Sequence, residues 1–172
     1  MQKNLWVLFT LCLLCAAPLC AQDEEEHATF LGLSLGGDYE DFLDSLEFRG
    51  YDMLGMTETH ASLGGMFDGV SCIIEVHATP KSALVYQVSV SFVEFMENEV
   101  ARMLKYRQIK KALKRKYAAW DYRRERALDE WSSTYARVSL GTRRLPDQKY
   151  KTLYVWWQDR AGWEALNREQ EE

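Results

Sequence analysis

HASLGGMFDGVSCIIEVH, residues 60–77, is the stretch whose reading decides the fold. Asp68-Gly69 is a two-residue hairpin signal, because the favoured tight turn needs residues that tolerate positive φ. With the turn placed there, Phe67 pairs with Val70 and every further pair follows by alternation. Ala61, Leu63, Gly65 and Phe67 then lie opposite Val76, Ile74, Cys72 and Val70, all on one apolar surface. A slip of one residue would turn that whole surface to solvent, so the pattern specifies the register. On the other surface His60 falls opposite His77, with Glu58 and Glu75 two residues away.

Working outward, residues 51–93 read as an antiparallel meander with a further turn at Pro80-Lys81. Tyr86, Val88, Val90 and Phe92 alternate with Gln87, Ser89 and Ser91, the period of a strand burying one face. Ahead of the meander, Thr29 to Leu33 suits a short strand, broken at Gly36-Gly37. Asp38 then caps a helix with Tyr39, Phe42, Leu43 and Leu46 on one face and Gly50 as its stop. Behind the meander, Met96, Val100, Met103, Tyr106, Ile109, Leu113 and Tyr117 recur at steps of three and four. That stripe predicts one amphipathic helix over about 97–117, with Asn98 as N-cap. Residues 118–131 fit either a helical continuation or an ordered loop. Residues 132–140 and 150–157 read as two final strands joined through 141–148, and a short polar helix or tail ends the chain.

The expected architecture is α+β, an antiparallel sheet of five or six strands with two main helices packed on one face. No linker divides the chain and no period of 20–50 residues repeats. Residues 29–165 are therefore expected to form a single domain, between an acidic, disordered lead-in at 22–28 and a polar tail at 166–172.

Residues 1–21 carry Lys3, an apolar run from Leu5 to Ala17 and a small residue, Ala21, before polar Gln22-Asp23. This is the pattern of a secretory signal peptide cleaved near Ala21, and the run is shorter than the about 20 residues of a membrane span. Secretion to the periplasm or beyond is expected, with no membrane-spanning segment after cleavage. Of the four cysteines, Cys72 alone would remain. An internal disulfide, a zinc ribbon and a CxxC redox site are thereby excluded, and Cys72 reads as a small buried hydrophobe.

Charge is unevenly spread. Residues 22–99 hold 16 acidic side chains against two basic ones, whereas residues 100–172 hold 18 basic against 10 acidic. The densest basic stretch, Arg102 to Arg126, includes Lys110, Lys114, Arg123 and Arg124. On a helix such a run is a solvated face, or a surface for an anionic glycan or lipid headgroup. Nucleic acid is not expected of a secreted chain with a net charge of −5.

The chain has no nucleophile elbow, no HExxH and no P-loop, so no catalytic residue is assigned. No cofactor or metal is expected either. His60, His77 and Glu75 are the nearest approach to a zinc or copper ligand set. Aromatics gather late, and adjacent Trp156 and Trp157 must point to opposite faces of their strand. One belongs to the core and the other is a candidate partner anchor beside Arg137, Arg143 or Arg144.

The segments FLGLSLGGDYEDFLDSLEFRGY (30–51), GGMFDGVSCIIEV (64–76), VYQVSVSF (85–92) and LKYRQIKKALKRKY (104–117) carry a resemblance. The chain resembles, from Phe30 to Asp159, uncharacterised secreted α+β proteins of Gram-negative gut bacteria, a domain of unknown function. Ser34 and Leu35 stand where those proteins carry proline, and Ala118 replaces the glycine after Lys116-Tyr117. The resemblance implies secretion and an α+β domain; it implies no activity and no functional residues. The expected function is a secreted or periplasmic, non-enzymatic binding module with a protein partner in the cell envelope. Anionic-glycan or lipid-headgroup binding through the basic helix and late aromatics is the second expectation, and an unrecognised hydrolase the third. Lys110, Lys114, Arg123, Arg124, Trp156 and Trp157 are the partner-binding candidates.

Overall fold

The computed structural model describes residues 27–93, 98–144 and 151–171. The expected signal peptide, most of the acidic lead-in, Met96 and the stretch from 145 to 150 lie outside them. The described chain is mostly β. A ribbon of β1 (Thr29–Phe30) and β2 (Leu33–Ser34) precedes α1 (Tyr39–Phe48). A meander follows: β3 (Asp52–Met56), β4 (His60–Phe67), β5 (Val70–Ala78) and β6 (Val85–Phe92). Then come α2 (Glu99–Lys116), a second meander and α3 (Arg160–Glu171). That meander is β7 (Asp121–Glu125), β8 (Leu128–Ser132), β9 (Ala136–Arg144) and β10 (Lys151–Asp159).

The two meanders join through β6 and β10 into one antiparallel sheet of eight strands, ordered β3-β4-β5-β6-β10-β9-β8-β7. Each meander is preceded by a helix, α1 or α2. This corrects the expectation of an α+β fold with five or six strands and two helices. The difference lies in β7 and β8, a hairpin inside the stretch left as helix or loop. Every residue of β7 is exposed, so the edge strand DYRRE has no buried face to print an alternation on its sequence. Charge on an exposed edge also discourages strand addition from another chain.

The β4–β5 register is as expected, from Phe67 opposite Val70 to His60 opposite His77. Asp68 and Gly69 both sit at positive φ, +51° and +71°. Helix α1 is capped by Asp38, whose carboxylate accepts from the Glu40 and Asp41 amides, and buries Tyr39, Phe42, Leu43 and Leu46. In β6, Val88, Val90 and Phe92 are buried, but a register shift opposite His77 and Ala78 turns Tyr86 to the other face. Strand alternation gives the sheet an inner face of Leu63, Ile74, Val76, Val88, Val90, Val155, Val138 and Leu140, all at most 1% exposed. The buried apolar side chains of α1, with Ile109 and Leu113 of α2, join the same core.

Helix α2 departs from its expected stripe. Asn98 caps it, accepting from the Ala101 amide, and Ile109, Leu113 and Tyr117 are buried, but Val100 and Met103 are 68% and 50% exposed. Arg102 and Lys105 point inward instead. Lys105 donates to the Asp68 carboxylate at 2.6 Å and to the Asp68 carbonyl, with its ammonium 5.9 Å from the centre of the Phe92 ring. The sheet end beneath this part of α2 offers a carboxylate and carbonyls, so cationic heads on apolar stems fit there better than methyl groups.

The β7–β8 turn, Arg126-Ala127, holds Arg126 at φ +52°. A non-glycine residue there carries about 1–2 kcal/mol of strain. Arg126 is exposed, so Arg126→Gly is expected to stabilise the protein by about 1 kcal/mol, measured as a rise in the urea midpoint. A fall in the midpoint would mean that the arginine side chain contributes more than its backbone costs.

Candidate functional site

The sheet face opposite the helix-covered core is built by the other half of each strand's alternation. Trp156 of β10 lies between Ser89 of β6 and Ser139 of β9. Its ring stacks on Tyr154 two residues earlier, centroids 5.2 Å apart and planes inclined by 22°. Arg143 lies 5.3 Å over Tyr154 and reaches the Glu75 carboxylate at 3.4 Å, while Ser89 donates to Glu75 at 3.0 Å. Farther along β9, Arg137 pairs with Glu130 of β8 at 3.6 Å, and Arg123 of the edge strand β7 pairs with Glu125 at 2.7 Å. At the other end the His60 and His77 rings are 4.7 Å apart, and Tyr86 and Trp163 continue the row. Helix α3 docks at that end, with Gly162 so close to Tyr86 that a Cβ would lie 2.8 Å from it.

The partner-binding candidates therefore divide between two places. Trp156 and Arg123 share the outer face with Arg137 and Arg143. Trp157, on the opposite side of β10, is 5% exposed and donates its indole N–H to the Tyr117 hydroxyl at 3.1 Å. Lys110, Lys114 and Arg124 lie where α2 crosses β7 and β8. Lys110 is turned inward and donates to the Asp129 carboxylate at 2.7 Å, and the exposed Lys114 has its ammonium 4.6 Å from the centre of the Tyr122 ring.

Sequence reasoning missed Asp129. It is fully buried and accepts from Lys110, from the Tyr122 hydroxyl and from the Tyr106 hydroxyl. Burial alone would raise its carboxyl, but the three donors outweigh it and hold the group below the usual range. Burial also opposes the charge on Lys110, yet its bonds to Asp129 and Tyr122 raise it. Its strand parity with Trp131 was the available signal, since it assigns an aspartate to the core side of β8. A second buried carboxylate, Asp159, caps α3 by accepting from the Gly162 amide at 2.9 Å, and it meets His27 Nδ1 at 3.0 Å.

The histidine pair does not gather a carboxylate. Glu75 is engaged by Ser89 and Arg143, and among the described residues no group of three or more His, Cys, Asp or Glu side chains is arranged to hold a metal. Burial, then the neighbouring His60 and Arg143, lower His77, against the opposing pull of Glu75. Cys72 is buried, and loss of solvation pushes its thiol up to about 11, which leaves it an unreactive packing residue.

These shifts set a pH dependence. The unfolded chain binds the His77 proton more readily than the folded one, so stability rises with pH across that gap. The contribution is complete above the ordinary histidine value of 6.5 and is lost as the pH falls through the lower native value. Asp129 adds a second decline, below the ordinary 3.8. The urea midpoint is expected to be flat just above neutrality, below the alkaline range where the raised Cys72 thiol makes ionisation favour the unfolded chain. It should fall first between pH 6.5 and the native His77 value, and again in strong acid. His77→Gln should remove the first fall; a fall of the same size in that variant would contradict the assignment.

Among the described residues, no helix is long and apolar enough to cross a membrane. No protein-family model, curated protein or solved structure matches the chain, and its function has to be read from these faces.

Proposed function

We propose that this protein is a non-enzymatic interaction module of the cell envelope or extracellular space, and that its outer sheet face grips a protein partner through Trp156. The observation that carries the reading is the composition of that face. A stacked Trp156–Tyr154 pair shares this side with Arg143 and Arg137 of the neighbouring β9 and with Arg123 three strands over on β7, and the described strands place no lysine there. Protein interfaces concentrate their energy in Trp, Tyr and Arg and are depleted of Lys. The three arginines are held by partly exposed ion pairs, each worth at most about 1 kcal/mol, so they exchange easily for a partner's carboxylates. Trp156 has one face stacked and little rotational freedom left to lose on binding. The hydroxyl of buried Ser139, directly opposite Trp156, has no hydrogen-bond partner among the described residues.

The second reading is an anionic glycan held on the exposed Lys111, Lys114 and Arg124, and salt separates the two. Envelope fractions are passed over the immobilised protein at low and high salt. One discrete protein should be retained at both, with affinity falling about 30-fold or more in Trp156→Ala. Lys114→Glu with Arg124→Glu should leave it unchanged. Retention of polysaccharide only at low salt, lost in the charge-reversed variant and indifferent to Trp156→Ala, would replace the protein partner with the glycan.

A further inference from the structure

A cleft of about 530 Å³ opens between the C-terminal half of α2, the β1–β2 ribbon and the inner face of β10. This is the opposite side of the sheet from Trp156. Its size lies within the roughly 300–1,000 Å³ of small-molecule sites. Phe30, Phe67, Val155 and Trp157 form one wall, and Ile109 and Leu113 the other. The indole N–H of Trp157 is already satisfied by Tyr117, so this interior offers apolar and aromatic surface and asks for no polar partner.

The mouth has the opposite character. Gln108, Arg115 and Lys116 edge it. Arg115 is exposed and has no ion-pair partner among the described residues, while the Lys116 ammonium lies 5.2 Å from the centre of the Tyr117 ring. Among the described residues Asp68 is the one acid in the lining, and its carboxylate is taken by Lys105 at 2.6 Å. An apolar interior behind a net cationic mouth selects a ligand that is apolar along its body and anionic at one end. A glycan lacks the body, and a neutral hydrocarbon leaves the mouth without a partner.

We propose that this cleft binds a single-chain amphiphile with an anionic head, its chain against Phe30 and Trp157 and its head at Arg115. Free fatty acids and lysophospholipids share this chemistry. The experiment measures thermal shift and quenching of tryptophan fluorescence by a brominated chain, using the whole protein. The probes are myristate, lysophosphatidylglycerol of the same chain length and myristyl alcohol, each below its aggregation threshold.

Myristate or the lysolipid should raise Tm and quench, with the alcohol about tenfold weaker. Arg115→Glu should weaken the anionic probes about tenfold and leave the alcohol unchanged. Ala112→Trp, from an exposed position in the lining, should block all three; Gln108→Trp replaces it if that variant does not fold. Preference for myristate assigns the ligand to free fatty acids, and preference for the lysolipid assigns it to membrane breakdown products. The proposal is overturned if no probe shifts Tm, if the alcohol binds as well as myristate, or if the blocked variant binds like wild type. Retention of a protein on the outer face is a separate readout, so either result leaves the other standing.

Discussion

Asp129→Ala is expected to lower stability by about 3–5 kcal/mol, the usual cost of breaking a buried ion pair from one side. The carboxylate is fully buried and collects Lys110 and the hydroxyls of Tyr106 and Tyr122. Without it the Lys110 ammonium, whose side chain is 19% exposed, faces two phenols and no counter-charge. For a chain of this size, with about 2–4 °C lost per kcal/mol, Tm should fall on the order of 10 °C. The damage comes from the orphaned charge rather than from the lost attraction. Pairing Asp129→Leu with Lys110→Met should therefore cost clearly less than Asp129→Ala alone. Urea unfolding of the set checks this; a double variant no better than the single one would show that the ion pair is not the source.

Trp131→Ala should be comparably severe, about 3–5 kcal/mol, because it empties the volume of a core indole. Trp131 is 1% exposed, lies two residues from Asp129 on the same side of β8, and packs 5.4 Å from the Tyr122 ring. Trp156→Ala, by contrast, removes a half-buried ring from the solvent-facing side and should cost under about 2 kcal/mol. The contrast separates folding from the proposed binding: unfolding is expected to follow Trp131, and affinity for the proposed partner is expected to follow Trp156. A Trp156→Ala protein as unstable as Trp131→Ala would place Trp156 in the fold and withdraw it from the interface.

Both the hub at Asp129 and the face around Trp156 depend on β7 and β8, which the sequence shows least clearly. In β4 and β5 a single apolar surface and an Asp-Gly turn leave one register that keeps every apolar residue inside. In β7 no residue is buried, and the turn to β8 is made by Arg126, which carries no turn signal of its own. Local pattern had nothing to report there, because the hairpin is held by Asp129 and Trp131 meeting α2 and β9 rather than by its own composition.

Helix α2 teaches the same point from the other side. Its three-and-four stripe identified a helix and its Asn98 cap, since these depend on neighbours along the chain. The rotation of its first two turns did not follow from hydrophobicity. Arg102 and Lys105 point inward because Asp68 and the backbone carbonyls of Asp68 and Lys151 wait there. Val100 and Met103 are left outside as a consequence.

By itself, then, the sequence determined the elements whose cause is local: the Asp68-Gly69 hairpin and its register, the Asp38 and Asn98 caps, and the opposed faces of Trp156 and Trp157. Tertiary structure alone decided which strands join across the centre, which cations become structural and which stay at a surface. It set Lys110 on Asp129, put Arg123, Arg137 and Arg143 on the same sheet face as Trp156, and left Arg115 at the mouth of an apolar cleft. The reason is physical. Alternation and capping are written within a few residues, whereas the partner of a buried charge is chosen by distant segments that meet only when the sheet closes.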